Sequence, residues 1–208
     1  VESLWRRLLG LSGSEPVWIA GSTHAGEEEI VLDAFLRLQA WHPSLVLILA
    51  PRNPERVPEV ERLIRLRGLE PIRRSALPIR PGARAVIVLD TVGELAQLYQ
   101  VASVVFVGGS LIPWGGHNML EPALGRKPVL FGPHTGNFKE SAELLLASGG
   151  ALLVTHGDEL EAALDRLLRD PELRRVMGNA GFEAATSRQG SVRLTLELLE
   201  RLVARPTP

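Results

Sequence analysis

Short, unbroken apolar runs alternate with helical patterns along almost the whole chain, and this alternation narrows the fold more than any other feature. Val17-Trp18-Ile19-Ala20 breaks at Gly21-Ser22-Thr23, and a helical stretch follows over 27–41. There Ile30, Leu32, Phe35, Leu36 and Leu38 form an apolar stripe, while Glu27, Glu28 and Glu29 favour the N-terminal end. A second buried run, 45–49, closes at Pro51-Arg52-Asn53-Pro54, and the next helix, 55–67, stops at Gly68. Ala85-Val86-Ile87-Val88-Leu89, the run 103–107, Pro128-Val129-Leu130-Phe131 and Ala151-Leu152-Leu153-Val154 complete the set. Helical patterns at 93–101 and 137–147 separate them, and helix fills the rest with breaks at Asp170-Pro171 and around Gly190. Continuous apolar strands joined by crossover helices are the pattern of a parallel sheet buried on both faces. The count predicts an α/β, doubly wound parallel sheet of about six strands in one domain. The irregular segment 73–84 reads as a surface loop, and the tail 205–208 as frayed.

The 208 residues suit one large domain or two small ones. A net charge of -1 argues against a general binder of nucleic acid or membrane surface, which needs a basic excess. With no cysteine there is no disulfide framework, thiolate zinc site or catalytic thiol. No apolar run approaches the roughly 20 residues of a membrane-spanning helix. The first residues, Val1-Glu2-Ser3-Leu4-Trp5, do not read as a signal peptide and lack an initiator methionine, so the chain reads as a piece of something longer.

An open parallel sheet binds ligands beyond the carboxyl ends of its strands. Those ends here are Gly21-Ser22-Thr23-His24, Pro51-Arg52-Asn53-Pro54, Asp90-Thr91-Val92-Gly93-Glu94, Gly108-Gly109-Ser110 and Gly132-Pro133-His134. Each has a plain structural reading. Ser22 and Thr23 suit a hydroxyl cap as well as an anion site. Arg52 suits a surface ion pair as well as a phosphate or carboxylate. Glu94 is favoured at a helix start whether or not it touches ligand. His24, His117 and His134 follow strand ends without zinc-pair spacing and read as hydrogen-bonding groups rather than metal ligands.

The stretch 108–121 is the most specific. Gly108, Gly109, Gly115 and Gly116 let the backbone turn sharply and approach a ligand. Ser110 adds a hydroxyl. Asn118 and Glu121 share a helical face, and Glu121 leans back toward the loop, where a carboxylate can accept ribose hydroxyls. Pro122 requires the helix to begin near 118–121. A Walker-A lysine motif, the dinucleotide glycine fingerprint and Gly-x-Ser-x-Gly are all missing.

Taken in order, Gly21-Ser22-Thr23-His24-Ala25-Gly26-Glu27-Glu28, Pro51-Arg52-Asn53-Pro54-Glu55-Arg56, Gly93-Glu94-Leu95, Gly108-Gly109-Ser110, Gly115-Gly116-His117-Asn118-Met119-Leu120-Glu121-Pro122-Ala123, Gly132-Pro133-His134 and Asn137-Phe138 resemble the 3-deoxy-D-manno-octulosonic acid (Kdo) transferases of lipopolysaccharide synthesis. The resemblance covers nearly the whole chain. Asn53 departs from it, standing where the family pattern has histidine.

The resemblance implies a Rossmann-like half of a GT-B glycosyltransferase, with 1–208 as a single C-terminal donor-binding domain and the N-terminal acceptor domain absent. It implies transfer of Kdo from CMP-Kdo to a lipid A precursor at the cytoplasmic face of the bacterial inner membrane, with no metal or cofactor. Membrane contact and the general base would belong to the parent's other half, and this fragment would be soluble and inactive alone. The implied donor residues are Ser22, Thr23, Arg52, Glu94, Ser110, Gly115, Gly116, His117, Asn118 and Glu121, with Glu121 on the ribose. The alternatives are the UDP-sugar-binding half of another GT-B transferase or epimerase, and a non-catalytic nucleotide-binding or protein-interaction domain.

Overall fold

The structure, a computed structural model, describes residues 2–76, 78 and 85–203, with 188–203 described for their helical backbone alone. A helix α1 (Glu2–Leu8) precedes the first strand, β1 (Val17–Thr23). Then follow α2 (Glu27–Leu38), β2 (Val46–Pro51), α3 (Val57–Leu66), β3 (Glu70–Arg73) and β4 (Ala85–Val88). The second half comprises α4 (Leu95–Leu98), β5 (Val104–Val107), α5 (Leu120–Leu124), β6 (Val129–Phe131), α6 (Lys139–Ser148), β7 (Ala151–Leu153), α7 (Gly157–Arg169) and α8 (Pro171–Val203).

All strands pair in parallel, in the order β3-β4-β2-β1-β5-β6-β7. The sheet has seven strands rather than about six. The additional one is β3, Glu70-Pro71-Ile72-Arg73, which buries only Ile72 fully. It lies at the edge, where a proline's missing N–H costs no ladder bond. A strand that buries one side chain lacks the continuous apolar run that marks the others.

Alternate residues of each strand point to opposite faces. Trp18, Ala20, Leu47, Leu49, Val86 and Val88 join α2, α3 and α7 in one core. Val17, Ile19, Ile48, Ile87, Val105 and Val107 join α1, α5, α6 and Tyr99 in the other. Both faces are therefore covered, as continuous apolar strands require. α8 spans both layers, giving Met177 to the first core and Ala185 to the second.

The helix break expected near Gly190 is absent, because α8 continues through it to Val203. One glycine costs a helix interior only about 1 kcal/mol relative to alanine. The break at Asp170-Pro171 is present, between α7 and α8. Of the segment expected as a loop, Arg73 closes β3 and Arg74–Ala76 forms a 3-10 turn. Residues 77 and 79–84 lie outside the described residues, as does the tail 205–208.

After β4 the chain crosses back over the sheet to lay β5 against β1. The strand order therefore reverses between β1 and β5, which opens a crevice beyond their carboxyl ends. The loops after β1 and β5 meet there.

Candidate functional site

At the end of β1 the register against β2 shifts between Gly21 and Thr23. Ser22 sits in this irregularity with φ 56, one of two non-glycine residues at positive φ among those described. A bulge at a strand end re-aims a side chain, and here it leaves Ser22 half-buried at the sheet edge while Thr23 turns inward. Thr23 is fully buried and its hydroxyl donates to Glu28 at 3.1 Å. Glu28 in turn holds Arg56 at 2.8 Å. Burial pushes the Glu28 carboxyl up, against the pull of that guanidinium. Arg52 is exposed, and its backbone N–H donates to the Thr23 carbonyl at 2.9 Å. Among the described residues no ion pair involves Arg52, whereas Arg56 is bound to both Glu28 and Glu59.

The turn after β5 is closed from within. Glu27, fully buried at the start of α2, aims its carboxylate into it. One oxygen accepts the N–H of Gly109 at 2.7 Å and of His24 at 3.1 Å. The other accepts the N–H of Ser110 at 3.0 Å and of Leu111 at 2.9 Å. Successive amides of this kind form an anion nest, and the protein fills it with its own carboxylate. Ser110 is fully buried too: its hydroxyl donates to the Val107 carbonyl at 2.5 Å and accepts the Gly132 N–H at 2.8 Å.

The turn into α5 is arranged differently. Gly115 and Gly116 take φ of 106 and 78, a region other residues rarely enter. The Gly116 N–H donates to the Gly109 carbonyl at 2.8 Å, and the Gly115 carbonyl accepts from Asn137 at 2.9 Å, so both sides brace the turn. Beyond it, among the described residues no acceptor takes the N–H of His117, Asn118 or Met119. Asn118 accepts the Leu120 N–H and donates to Glu121, each at 3.1 Å. Glu121 is exposed, with its second carboxylate oxygen outside that bond. α5 begins at Leu120, which puts Pro122 in the first turn, as its missing N–H demands.

A histidine pair ties the two loops together. His24 and His117 face each other Nε2 to Nε2 at 2.7 Å, and Trp114 covers His24 with ring centroids 4.2 Å apart. One ring must donate and the other accept, so the facing nitrogens hold a single proton between them. Burial, the His24 charge and Arg52 bring the His117 pKa down to about 4. Burial, Arg56 and Arg52 lower His24 as well.

Of the residues singled out from sequence, Ser22, Gly115, Gly116, His117, Asn118 and Glu121 come together around the β1–β5 crevice, with the Arg52 charge reaching the histidines. Thr23 and Ser110 belong to the crevice, but their hydroxyls are engaged within the framework. Glu94 is engaged as well, held by Arg74 at 3.1 Å and by the Thr91 hydroxyl. A cavity of about 620 Å³ flanks the crevice beyond Trp114, lined by Phe131, His134, Lys139, Leu146 and Leu153. Of the implied donor residues only Gly115 touches this mostly apolar hollow, together with His134 at the end of β6. Among the described residues no three His, Asp or Glu side chains converge as metal ligands, and no helix is long and apolar enough to cross a membrane.

Two features escaped the sequence reading. Glu27 reads locally as a helix-start carboxylate, and its four N–H partners include three more than 80 positions away. Tyr99 lies in an apolar stretch without a motif, yet it reaches the end of β1.

A parallel doubly wound sheet with a ligand crevice at its switch point is the architecture of one half of a GT-B glycosyltransferase. No family model matches the chain. It is 39% identical over 206 residues to the 3-deoxy-D-manno-octulosonic acid transferase of Haemophilus influenzae, covering 99% of this chain and 47% of that protein. The crystal structure of the C-terminal CMP-Kdo binding domain of WaaA from Acinetobacter baumannii superposes with a TM-score of 0.81 at 30% identity, covering 88% of this chain and 95% of that one. Anabaena HepE in complex with UDP-glucose has a TM-score of 0.70 at 19% identity, a likeness of fold alone. The chain belongs to the Kdo transferase family, and it spans about half the length of the curated relatives it matches.

Proposed function

We propose that this chain is the donor-binding domain of a Kdo transferase and holds CMP-Kdo in the β1–β5 crevice. The observation that carries this is the whole-length likeness to a C-terminal CMP-Kdo binding domain, 95% of which the chain covers. The geometry supplies a recognition set. Glu121 offers a free carboxylate oxygen to the ribose. The open N–H groups of His117 and Asn118, with Arg52 outside any ion pair among the described residues, suit the phosphate. Ser22, re-aimed by its bulge, lines the same edge. Fixed N–H donors and a cation also suit the charge that develops on CMP as it departs. Thr23, Ser110 and Glu27 hold the loops in place. Glu94, gripped by Arg74, borders the site at most.

In the parent protein, the acceptor would be a lipid A precursor, presented by an N-terminal half at the cytoplasmic face of the inner membrane. The base that activates the acceptor hydroxyl would belong to that half. This chain then binds donor without turning it over.

Titration of the 208-residue chain with CMP, UMP and UDP tests the reading. CMP is expected to bind and UDP to bind far more weakly. Binding of UDP with no response to CMP would move the chain to the UDP-sugar enzymes. Transfer from CMP-Kdo to lipid acceptor by this chain alone would place the catalytic groups here.

A further inference from the structure

Tyr99, in the 3-10 turn after α4, has its ring buried in the core beneath β1 and is only 2% exposed. Buried tyrosine hydroxyls usually find a partner. Among the described residues this one has none, although the ring needs no hydroxyl to fill its place. Space is nevertheless kept for it. A Cβ on Gly21 would stand 2.5 Å from the Tyr99 hydroxyl oxygen, so β1 carries its one side-chain-free position where that oxygen arrives. Gly21 is the residue just before the Ser22 bulge, at the carboxyl end of the strand. The hydroxyl therefore reaches the floor of the crevice. Burial, and after it the Glu121 charge, push the phenol pKa up, so Tyr99 remains a donor at physiological pH.

We infer that Tyr99 is a ligand-binding residue of the nucleotide site, its hydroxyl donating a hydrogen bond to a ribose hydroxyl oxygen of the bound nucleotide while Glu121 accepts from the sugar. This rests on the proposal that the crevice binds CMP. The two groups divide the task by chemistry. An ionised carboxylate only accepts, and a protonated phenol can donate, so together they satisfy a vicinal diol on both counts. A site that hydrogen-bonds a hydroxyl also discriminates against the analogue that lacks it.

The test is Tyr99→Phe, which retains the ring and its packing. The variant is expected to bind CMP about 3- to 10-fold more weakly, the loss for one neutral hydrogen bond. Its melting temperature is expected to stay within about 2 °C of the parent. The penalty is expected to vanish for whichever of 2′-deoxy-CMP and 3′-deoxy-CMP lacks the contacted hydroxyl. A structural role would not produce that dependence on the ligand. Equal CMP affinity in parent and variant would overturn the inference, as would the same loss for CMP and both deoxy analogues. If the parent binds no CMP, this inference and the proposed function fall together; if it binds CMP and the variant binds equally, this inference falls alone.

A second measurement needs no variant. Tyr99 is the single tyrosine of the chain, so incorporation of 3-fluorotyrosine yields one fluorine resonance reporting on this ring. Saturating CMP is expected to shift it, and the matching deoxy analogue to shift it less. A resonance unmoved by saturating CMP would overturn the inference.

Discussion

The turn after β5, Gly108-Gly109-Ser110, and the turn into α5, Gly115-Gly116-His117-Asn118, are built from similar residues and lie side by side. In the first, the N–H groups of Gly109, Ser110 and Leu111 converge on the buried Glu27 carboxylate. In the second, the N–H groups of His117, Asn118 and Met119 meet no acceptor among the described residues. Glycine-rich amides after a strand have a general affinity for anions. What separates the turns is whether a carboxylate from elsewhere in the chain has already taken the place. The closed turn can then act as a rigid support for the open one, through the Gly116 bond to Gly109 and the His24–His117 contact.

Removing the internal anion is the severest challenge to this contrast. Glu27→Ala leaves four N–H groups without their acceptor, at a cost of about 4 kcal/mol after partial rescue by water. A fall of roughly 10 °C in melting temperature is expected in a thermal denaturation scan. At a temperature where the variant is folded, its CMP affinity should fall only a few-fold, because the brace on the open turn is loosened while the groups that meet the nucleotide remain. Tighter CMP binding with unchanged stability would mean that the first turn is itself a ligand nest.

Glu121→Ala tests the open turn with the opposite signature. Loss of a charged hydrogen-bond acceptor is expected to weaken CMP by about 10- to 100-fold in calorimetric titration. Because Glu121 is exposed, the melting temperature should move by no more than about 2 °C. A variant that binds CMP as tightly as the parent would favour a nucleotide-binding domain whose site has lost its recognition of ribose.

The histidine bridge between the turns gives the smallest effect. Folded His117 titrates at about 4, below the ordinary 6.5, and His24 is lowered too. As pH falls from 6.5 toward 4, the unfolded chain takes up protons that the folded chain does not. This contribution to stability is therefore complete above about pH 6.5 and is lost on acidification. Between pH 7.5 and 5, the parent should lose on the order of 5 °C more than His117→Gln. Equal losses would show that the pair does not join the loops as drawn.

The parallel class of the sheet and six of its strands were legible because each strand is an unbroken apolar run with polar residues at its carboxyl end. β3 was not, since an edge strand with Pro71 and one buried side chain has no such pattern. The residues 115–121 were legible as a recognition loop because glycines, an amide and a carboxylate crowd into one turn. The sorting of hydroxyls was not. Ser22 and Thr23 are neighbours of similar chemistry, and the irregular end of β1 leaves the first half-buried and the second bonded to Glu28. Likewise Glu27, Glu28 and Glu29 look alike in the chain. One fills the β5 turn, one holds Arg56, and one accepts the Gly26 N–H at the head of α2.

The sequence by itself determined the layered α/β plan, the family and the segments that meet at the strand ends, because apolar periodicity and turn chemistry are local properties. Only the tertiary structure decided which amides remain open, which carboxylates are internal and that the Tyr99 hydroxyl reaches the end of β1. Those outcomes depend on burial and on partners far apart in the chain. A polar group without a local partner is satisfied or left free by whatever the packed fold brings beside it.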